Sequence, residues 1–334
     1  MQKKLILESR AKCQLGGPDS DENEHLSVHS QHPDICPEPG YLHRLYADAF
    51  QEFGTLHRLE QCAGWVLERQ IRGTAAHDAM GLYPLFCCQD WHALAQDLDT
   101  HGERWVSLAL VADPFGNYDE SLLNMLFDVV LPYKEHYVAD TEVPLDSFVS
   151  KSHYKNARRA LNKVDVEVCP TPLVYLDEWI KLFSVLADRH DIRGLRAFSP
   201  DSFEKQLRVP GMVMFRAIRE ERTVGMDLWY VQDNVAQGHL VAFNDEGYSM
   251  SASYATKWTL LNYFVGKVRW VNFGGLPGSA SPSAQGLGHF KQGWANTTRK
   301  AYFCGRIFDQ ERYDSLSHQL PETNFFPAYR AGEL

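Results

Sequence analysis

Five fixed positive charges with no acid among them fill the stretch Lys151-Ser152-His153-Tyr154-Lys155-Asn156-Ala157-Arg158-Arg159-Ala160-Leu161-Asn162-Lys163. On a helix their spacing puts Lys151, Lys155, Arg158, Arg159 and Lys163 on about one face, with Ala157, Ala160 and Leu161 left to pack. Such a stripe attracts phosphates, because arginine grips them with a two-pronged fork and lysine adds point charge. A run of charge can equally be a solvated face. The missing acids leave the two readings level, and Lys151, Lys155, Arg158 and Arg159 are the phosphate-binding candidates.

Other groups suited to chemistry are scattered. His239 stands in an apolar strand, where it can relay protons or serve as a hydrogen-bonded core residue. Arg189 and His190 stand at a helix end, where they can meet a ligand or the last carbonyls. Tyr133 to Asp140, including His136 and Tyr137, is dense in groups that donate, accept or stack, and reads as a cleft segment or a connector. His25, His29, His32 and Cys36 have metal-compatible spacing, but Pro33 breaks the helix that would align them, and no metal is placed there. Gly274, Gly275 and Gly278 lack a Gly-x-x-x-x-Gly-Lys-Ser/Thr pattern and read as a turn.

These residues need elements to hold them. Residues 212–218, an apolar run, and residues 224–231 and 235–243 read as strands separated by turn residues, which predicts an antiparallel meander closed by a turn at 244–247. Apolar residues at Tyr254, Trp258, Leu261 and Val265 predict a helix from Ser249 to Phe264. A short strand at 268–273, a short helix at 288–294 and a strand pair near 300–303 and 305–308 follow. Upstream, a helix is expected over 41–53, strands over 65–70, 80–86 and 105–111, and a helix over 121–130. Pro84 suits a strand edge. The basic helix precedes a strand at 164–168 and a helix at 176–189 stopped by Gly194. Ser199-Pro200 opens another helix as cap and first turn.

The order strand, strand, strand, helix, strand, short helix, strand resembles the GNAT acyltransferase core. The Phe290-Lys291 pair after a Gly-rich turn, with a basic segment upstream, is similar to the FemAB-like branch, in which two GNAT-type domains lie in tandem. The resemblance covers roughly Leu56 to Tyr313. It implies an α/β (α+β) chain of two tandem GNAT-like domains, each a mixed, mostly antiparallel sheet flanked by helices. It implies N-acyl transfer from an activated donor to an amine, with no tightly bound cofactor. That chemistry needs a neutral nucleophile, a group facing the oxyanion, and a proton route.

Lys291 is the residue that the resemblance puts at the reaction centre, with His239 and Tyr254 as further catalytic candidates. Phe290, His136, Tyr137, Arg189, His190, Trp229 and Gly275 are the candidate substrate contacts. Where a GNAT protein carries a glycine-rich loop for the coenzyme A pyrophosphate, this chain has Asn244-Asp245-Glu246-Gly247-Tyr248-Ser249. Its carboxylates disfavour acetyl-CoA. An acyl-CoA, a carrier-protein thioester and an aminoacyl-tRNA all remain as donors, and the acceptor is a small-molecule amine. The alternatives are a module that keeps the fold, binds a phosphorylated ligand and has lost turnover, and a conventional acyl-CoA or carrier-protein acyltransferase of envelope polysaccharide or secondary-metabolite assembly.

Composition sets outer limits. With 334 residues and 44% hydrophobic content the chain can build two cores. A formal net charge of −10 excludes a protein that coats DNA by bulk charge. Seven cysteines without a Cys-x-x-Cys pair suggest a reducing compartment. No apolar run reaches the length of a transmembrane or secretory segment, so a cytoplasmic protein is expected. The expected divisions are a polar arm at 1–40, a degenerate GNAT-like domain at 41–150, a second at 151–313, and a tail at 314–334 that docks through its aromatic residues.

Overall fold

In a computed structural model of the chain, residues 38–277, 282–318 and 323–333 are described. His25, His29, His32, Cys36, most of the polar arm and Gly278 lie outside them. Described elements of the first half are α1 (Arg44–Asp48), β1 (Thr55–Leu59), β2 (Gly64–Gln70), β3 (His77–Gly81), α2 (Leu94–His101), β4 (Ser107–Val111), α3 (Glu120–Leu126) and β5 (Val129–Asp140). The second half continues with α4 (Leu145–Phe148), α5 (Lys151–Ala160), β6 (Asp165–Cys169), α6 (Leu176–His190), α7 (Pro200–Leu207), β7 (Met212–Arg219), β8 (Arg222–Gln232) and β9 (Val235–Phe243). It ends with α8 (Asp245–Ser249), α9 (Ala252–Phe264), β10 (Trp270–Asn272), α10 (Pro282–Gln292), β11 (Thr297–Ile307) and α11 (Gln310–Ser317).

The described strands join one sheet, in the order β1-β2-β3-β4-β11-β5-β10-β9-β8-β7-β6. Among the described strands only β3–β4 and β9–β10 pair in parallel. Read inward from either edge, antiparallel strands lead to one parallel pair, and then to a strand supplied by the other half. Thus β5 pairs with β10, β11 pairs with β4, and the two exchanged strands pair with each other. This is a mixed, mostly antiparallel α/β architecture.

Alternation along β8 separates two cores. Trp229 packs with Phe215, Leu260 and Phe264 beneath α5 and α9. Tyr230 packs with Tyr41, Tyr46, Trp179, Phe203 and Met214 on the opposite face. Trp91, Trp105, Leu108 and Leu123 make a further core in the first half. Among the described residues no helix is long and apolar enough to cross a membrane.

The meander stands where the turn residues put it, and Ser199 caps α7 through Ser202 N–H at 3.2 Å. Several local readings change. The helix expected over 41–53 is broken, because His43 is extended and its ring accepts the Leu45 N–H, restarting the chain as α1. The strand expected at 80–86 is shifted to His77–Gly81, with Pro84 in the loop beyond it. Its polar start is buried by distant partners: Arg330 Nε and Nη2 donate to the Asp78 carboxylate at 2.9 and 2.8 Å. Tyr133 to Asp140 belongs to a central strand. The strand pair near 300–308 is one strand, continuous through a bulge at Ala301/Tyr302. The turn at 244–247 opens α8, with Asn244 accepting the Gly247 N–H at 2.9 Å. Asp191, at φ 48°, ends α6 in place of Gly194.

Candidate functional site

The basic helix is fixed at its N-terminus to the C-terminal end of α10. Ser150 caps it by accepting the His153 N–H at 3.2 Å, and the Ser150 N–H donates to Gly293 O at 3.0 Å. His153 Nε2 lies 3.1 Å from Phe290 O, and Nδ1 lies 2.7 Å from Ser150 Oγ. A carbonyl only accepts, so Nε2 carries the proton and Nδ1 accepts from the serine. Burial lowers the His153 pKa against a smaller pull from the Phe290 carbonyl, consistent with a neutral ring. Gly293 has no room for a side chain, since a Cβ there would fall within the His153 ring. Phe290 and Trp294 pack on the same ring and on Tyr254, with Phe290 and Tyr254 centroids 5.0 Å apart.

Lys151, Lys155, Arg158 and Arg159 project from the other side of α5 and are exposed. Arg158 Nη1 donates to Tyr154 OH at 3.2 Å, and Tyr154 packs on Trp258 at 5.0 Å. The ion pairs among the described residues involve other cations.

Lys291 lies in the last turn of α10 and is half-buried. Its Nζ donates to Gly275 O at 2.6 Å. Two glycines let the chain pass this close. Gly274 sits at φ 73°, a backbone conformation that residues with side chains rarely adopt. A Cβ on Gly275 would stand 2.9 Å from Lys134 Cβ. Burial lowers the Lys291 pKa to about 7, helped by the nearby Lys257 and Lys134 charges. Lys257 is itself tied to buried Asp227, whose other oxygen accepts from Trp229 Nε1 at 2.8 Å. Trp229 therefore braces this ion pair from the core. One turn back along α10, a cavity of about 370 Å³ is lined by Tyr137, Leu276, Gln285, Gly288, His289 and Gln292.

A row of polar side chains begins beside Gly274 and crosses the sheet. The Gly274 N–H donates to Asn272 Oδ1 at 2.9 Å. The same amide lies against His136 Nδ1, 3.1 Å from Nδ2 and 3.2 Å from Oδ1. Asn272 Nδ2 donates to Gln237 Oε1 at 2.6 Å, and Gln237 Nε2 to Asp113 Oδ1 at 3.2 Å. Burial raises the Asp113 pKa, while the Phe115 N–H, Cys87 and Gln237 donors oppose the rise. Burial, followed by the Lys291 charge, takes His136 down to about 4, so the ring is neutral at pH 7.

His239 keeps other company. Nε2 lies 2.8 Å from Gln206 Oε1 and Nδ1 lies 3.3 Å from Tyr41 OH, with the Tyr230 ring tilted against it at 4.8 Å. Burial holds its pKa at about 3. These partners lie on the Tyr230 face, whereas Tyr254 and Phe290 belong to the Trp229 face. Arg189 pairs with Asp245 and stacks on Tyr248 at 4.6 Å, and Arg222 reaches Glu246 at 3.2 Å, so both carboxylates of that turn are partnered. His190 is exposed at the end of α6.

The structure thus brings together Lys291, Phe290, Gly275, His136, Tyr137 and Tyr254 with the root of the basic helix. It does not bring His239, Arg189 or His190 into contact with them. Asn272, Gln237 and Asp113 escaped the sequence reading. Their one signal was a polar residue inside or just beyond an otherwise apolar strand, which costs free energy unless it is bonded. Among the described residues no cluster of His, Cys, Asp and Glu could hold a metal ion.

No protein-family model and no curated protein matches the sequence. Solved structures do match. FemX superposes with a TM-score of 0.61 at 12% identity, over 81% of this chain and 93% of FemX. The C-terminal domain of a protein assigned as a lysylphosphatidylglycerol synthetase from Agrobacterium fabrum gives 0.55 at 13%, over 80% and 88%. L-PGS from Bacillus licheniformis gives 0.50 at 15%, over 82% and 94%. At these identities the likeness is one of fold, and that fold is the FemAB-like GNAT architecture.

Proposed function

We propose that the chain is an N-acyltransferase that moves an acyl or aminoacyl group from an activated ester or thioester to an amine. The observation that carries this reading is the docking of the exposed cationic helix, through His153, onto the turn of α10 that bears Phe290 and Lys291. A donor whose phosphates lie along Lys151, Lys155, Arg158 and Arg159 would extend past the helix root toward Lys291. When the amine attacks the donor carbonyl, its oxygen becomes an oxyanion, which the Lys291 ammonium stabilises in a site of reduced water. Collapse of the adduct breaks the bond to the leaving alcohol or thiol. The proton lost by the attacking amine passes to that leaving group.

An aminoacyl ester on RNA suits this surface. The cations needed to follow a phosphate backbone are exposed, and Asp245 and Glu246 occupy the loop that would otherwise meet a pyrophosphate. Carrier-protein and coenzyme A thioesters are the competing donors, and a binder without turnover is the competing class. The test is to supply labelled aminoacyl-tRNA and labelled acyl-CoA in parallel and to follow label into small amines. The expected result is transfer from one donor, with Lys291→Met losing turnover and keeping donor binding. Equal loss of both in that variant would favour a binder, and no donor binding at low salt would end the reading.

A further inference from the structure

Resting on the transferase reading, the row from Asp113 to His136 can be assigned atom by atom. Asp113 accepts from the Phe115 N–H at 3.1 Å and from Cys87 Sγ at 3.3 Å as well as from Gln237. A carboxylate facing an amide selects its NH2 group, which leaves Gln237 Oε1 facing Asn272. An oxygen that only accepts then selects the Asn272 NH2, at 2.6 Å. The Gly274 N–H, at 2.9 Å from Asn272 Oδ1, requires the same orientation independently. Both ends of the row therefore agree.

One hydrogen of the Asn272 NH2 is left, and His136 Nδ1 lies 3.1 Å from that nitrogen. The Asn272 oxygen is 3.2 Å from the same ring atom but already has a donor. A buried N–H without an acceptor costs more than a carbonyl with a single donor. The hydrogen therefore goes to Nδ1, and the ring's own proton sits on Nε2.

We propose that Asp113, Gln237 and Asn272 are positioning residues that fix His136 as the Nε2–H tautomer, a neutral hydrogen-bond donor beside Lys291 for the oxyanion of acyl transfer. The row also couples the halves of the chain. Asp113 follows β4, whereas Gln237 and Asn272 belong to β9 and β10.

The test is the two-bond 15N–1H correlation spectrum of the full chain labelled in histidine, at pH 7, with His136 assigned through His136→Gln. The expected wild-type spectrum shows the proton on Nε2. Asn272→Asp offers His136 only acceptors, so the proton should move to Nδ1, and turnover should fall roughly a hundredfold, as when one oxyanion donor is lost, with the donor KM unchanged. Gln237→Glu still presents an acceptor to Asn272 and should leave the tautomer as it is. A wild-type ring protonated on Nδ1 overturns the proposal, and so does Asn272→Asp with the proton still on Nε2. Should Asn272→Asp fail to fold, the wild-type spectrum decides alone. The expected tautomers in a protein that acylates no amine would overturn the transferase reading and the oxyanion role with it, while leaving the assignment of the row intact.

Discussion

The two halves repeat one topology and use it in opposite ways. After β3 the chain loops out and returns, so that the Phe86 N–H donates to Val111 O at 2.7 Å and the Asp113 N–H donates to Phe86 O at 3.1 Å. Backbone thus laces the first parallel pair shut. In the second, the last rung joins Gln237 to Asn272, after which the Phe273 N–H donates to Tyr137 O at 2.9 Å. There β10 stays with β5, and among the described residues no strand takes the edge of β9 beyond that rung. Polar side chains gather where the strands part. A fold that is laced shut spends its backbone groups on itself, and the same fold left open has groups to offer a ligand.

The largest effect should come from the laced half. Arg330 binds the Asp78 carboxylate and donates to Gln70 O at 3.0 Å, pinning the tail across β2 and β3. Both side chains are buried. Arg330→Met would leave Asp78 charged and uncompensated, at a cost of about 3–5 kcal/mol by denaturant unfolding. Donor binding measured where the variant is still folded should match wild type. A loss of binding as large as the loss of stability would show that the halves are not separable in this way.

In the open half the largest effect should be on turnover. Lys291→Met removes the cation facing the oxyanion and should cost about 10²–10³-fold. It should also stabilise the protein. Lys291 titrates at about 7 when folded against an ordinary value of 10.5, so between those values the unfolded chain holds a proton that the folded chain has lost. Wild-type stability accordingly rises with pH across that window, and the burial penalty is complete below pH 7. The variant's advantage in Tm should be greatest below pH 7 and fade toward pH 10. The wild-type rate should decline on the alkaline side with a midpoint near the Lys291 value, as the ammonium is lost. A flat alkaline limb would remove Lys291 from the oxyanion.

What the sequence revealed divides along the same line. The meander β7–β8–β9 was legible because each strand is bounded by turn residues that lie next to it in the chain. So was the basic helix, whose charges and small residues are local. β3 was not, since its buried Asp78 makes sense only with Arg330, far along the chain. Phe290-Lys291 was found through resemblance. Its neighbours Asn272, Gln237 and Asp113 come from three separate elements, and no window of sequence contains their contacts. His239 shows the converse problem. As a histidine in an apolar strand it promised chemistry, but Gln206 and Tyr41 occupy its two nitrogens. Residue type alone did not distinguish a bonded core group from one left for a ligand.

A smaller effect is expected where the cationic helix meets α10. Gly293→Ala would drive a methyl into the His153 ring, and over-packing of this kind costs about 1–3 kcal/mol. The strain falls on the contact that joins the phosphate-binding candidates to Lys291, so donor KM should rise along with the loss of stability. Replacing His153 by alanine in the same chain should relieve the clash and recover stability without recovering KM. Recovery of both would mean that the helix does not need this anchor.

The smallest change in stability, and the sharpest contrast between the halves, should come from the exposed cations. Arg158→Ala and Arg159→Ala remove side chains whose charges contribute little to the fold, so unfolding should shift by no more than about 0.5 kcal/mol. Their effect should appear in the salt dependence of donor binding. Each phosphate contact contributes close to one unit to the slope of log affinity against log salt, and each substitution should lower that slope by about that amount. Arg104 is a matched control on the laced half, exposed and paired only loosely with Glu68 at 3.7 Å. Arg104→Ala should leave the slope unchanged. If all three variants changed it alike, the donor would be responding to overall charge on an anionic protein, and α5 would hold no phosphate of its own.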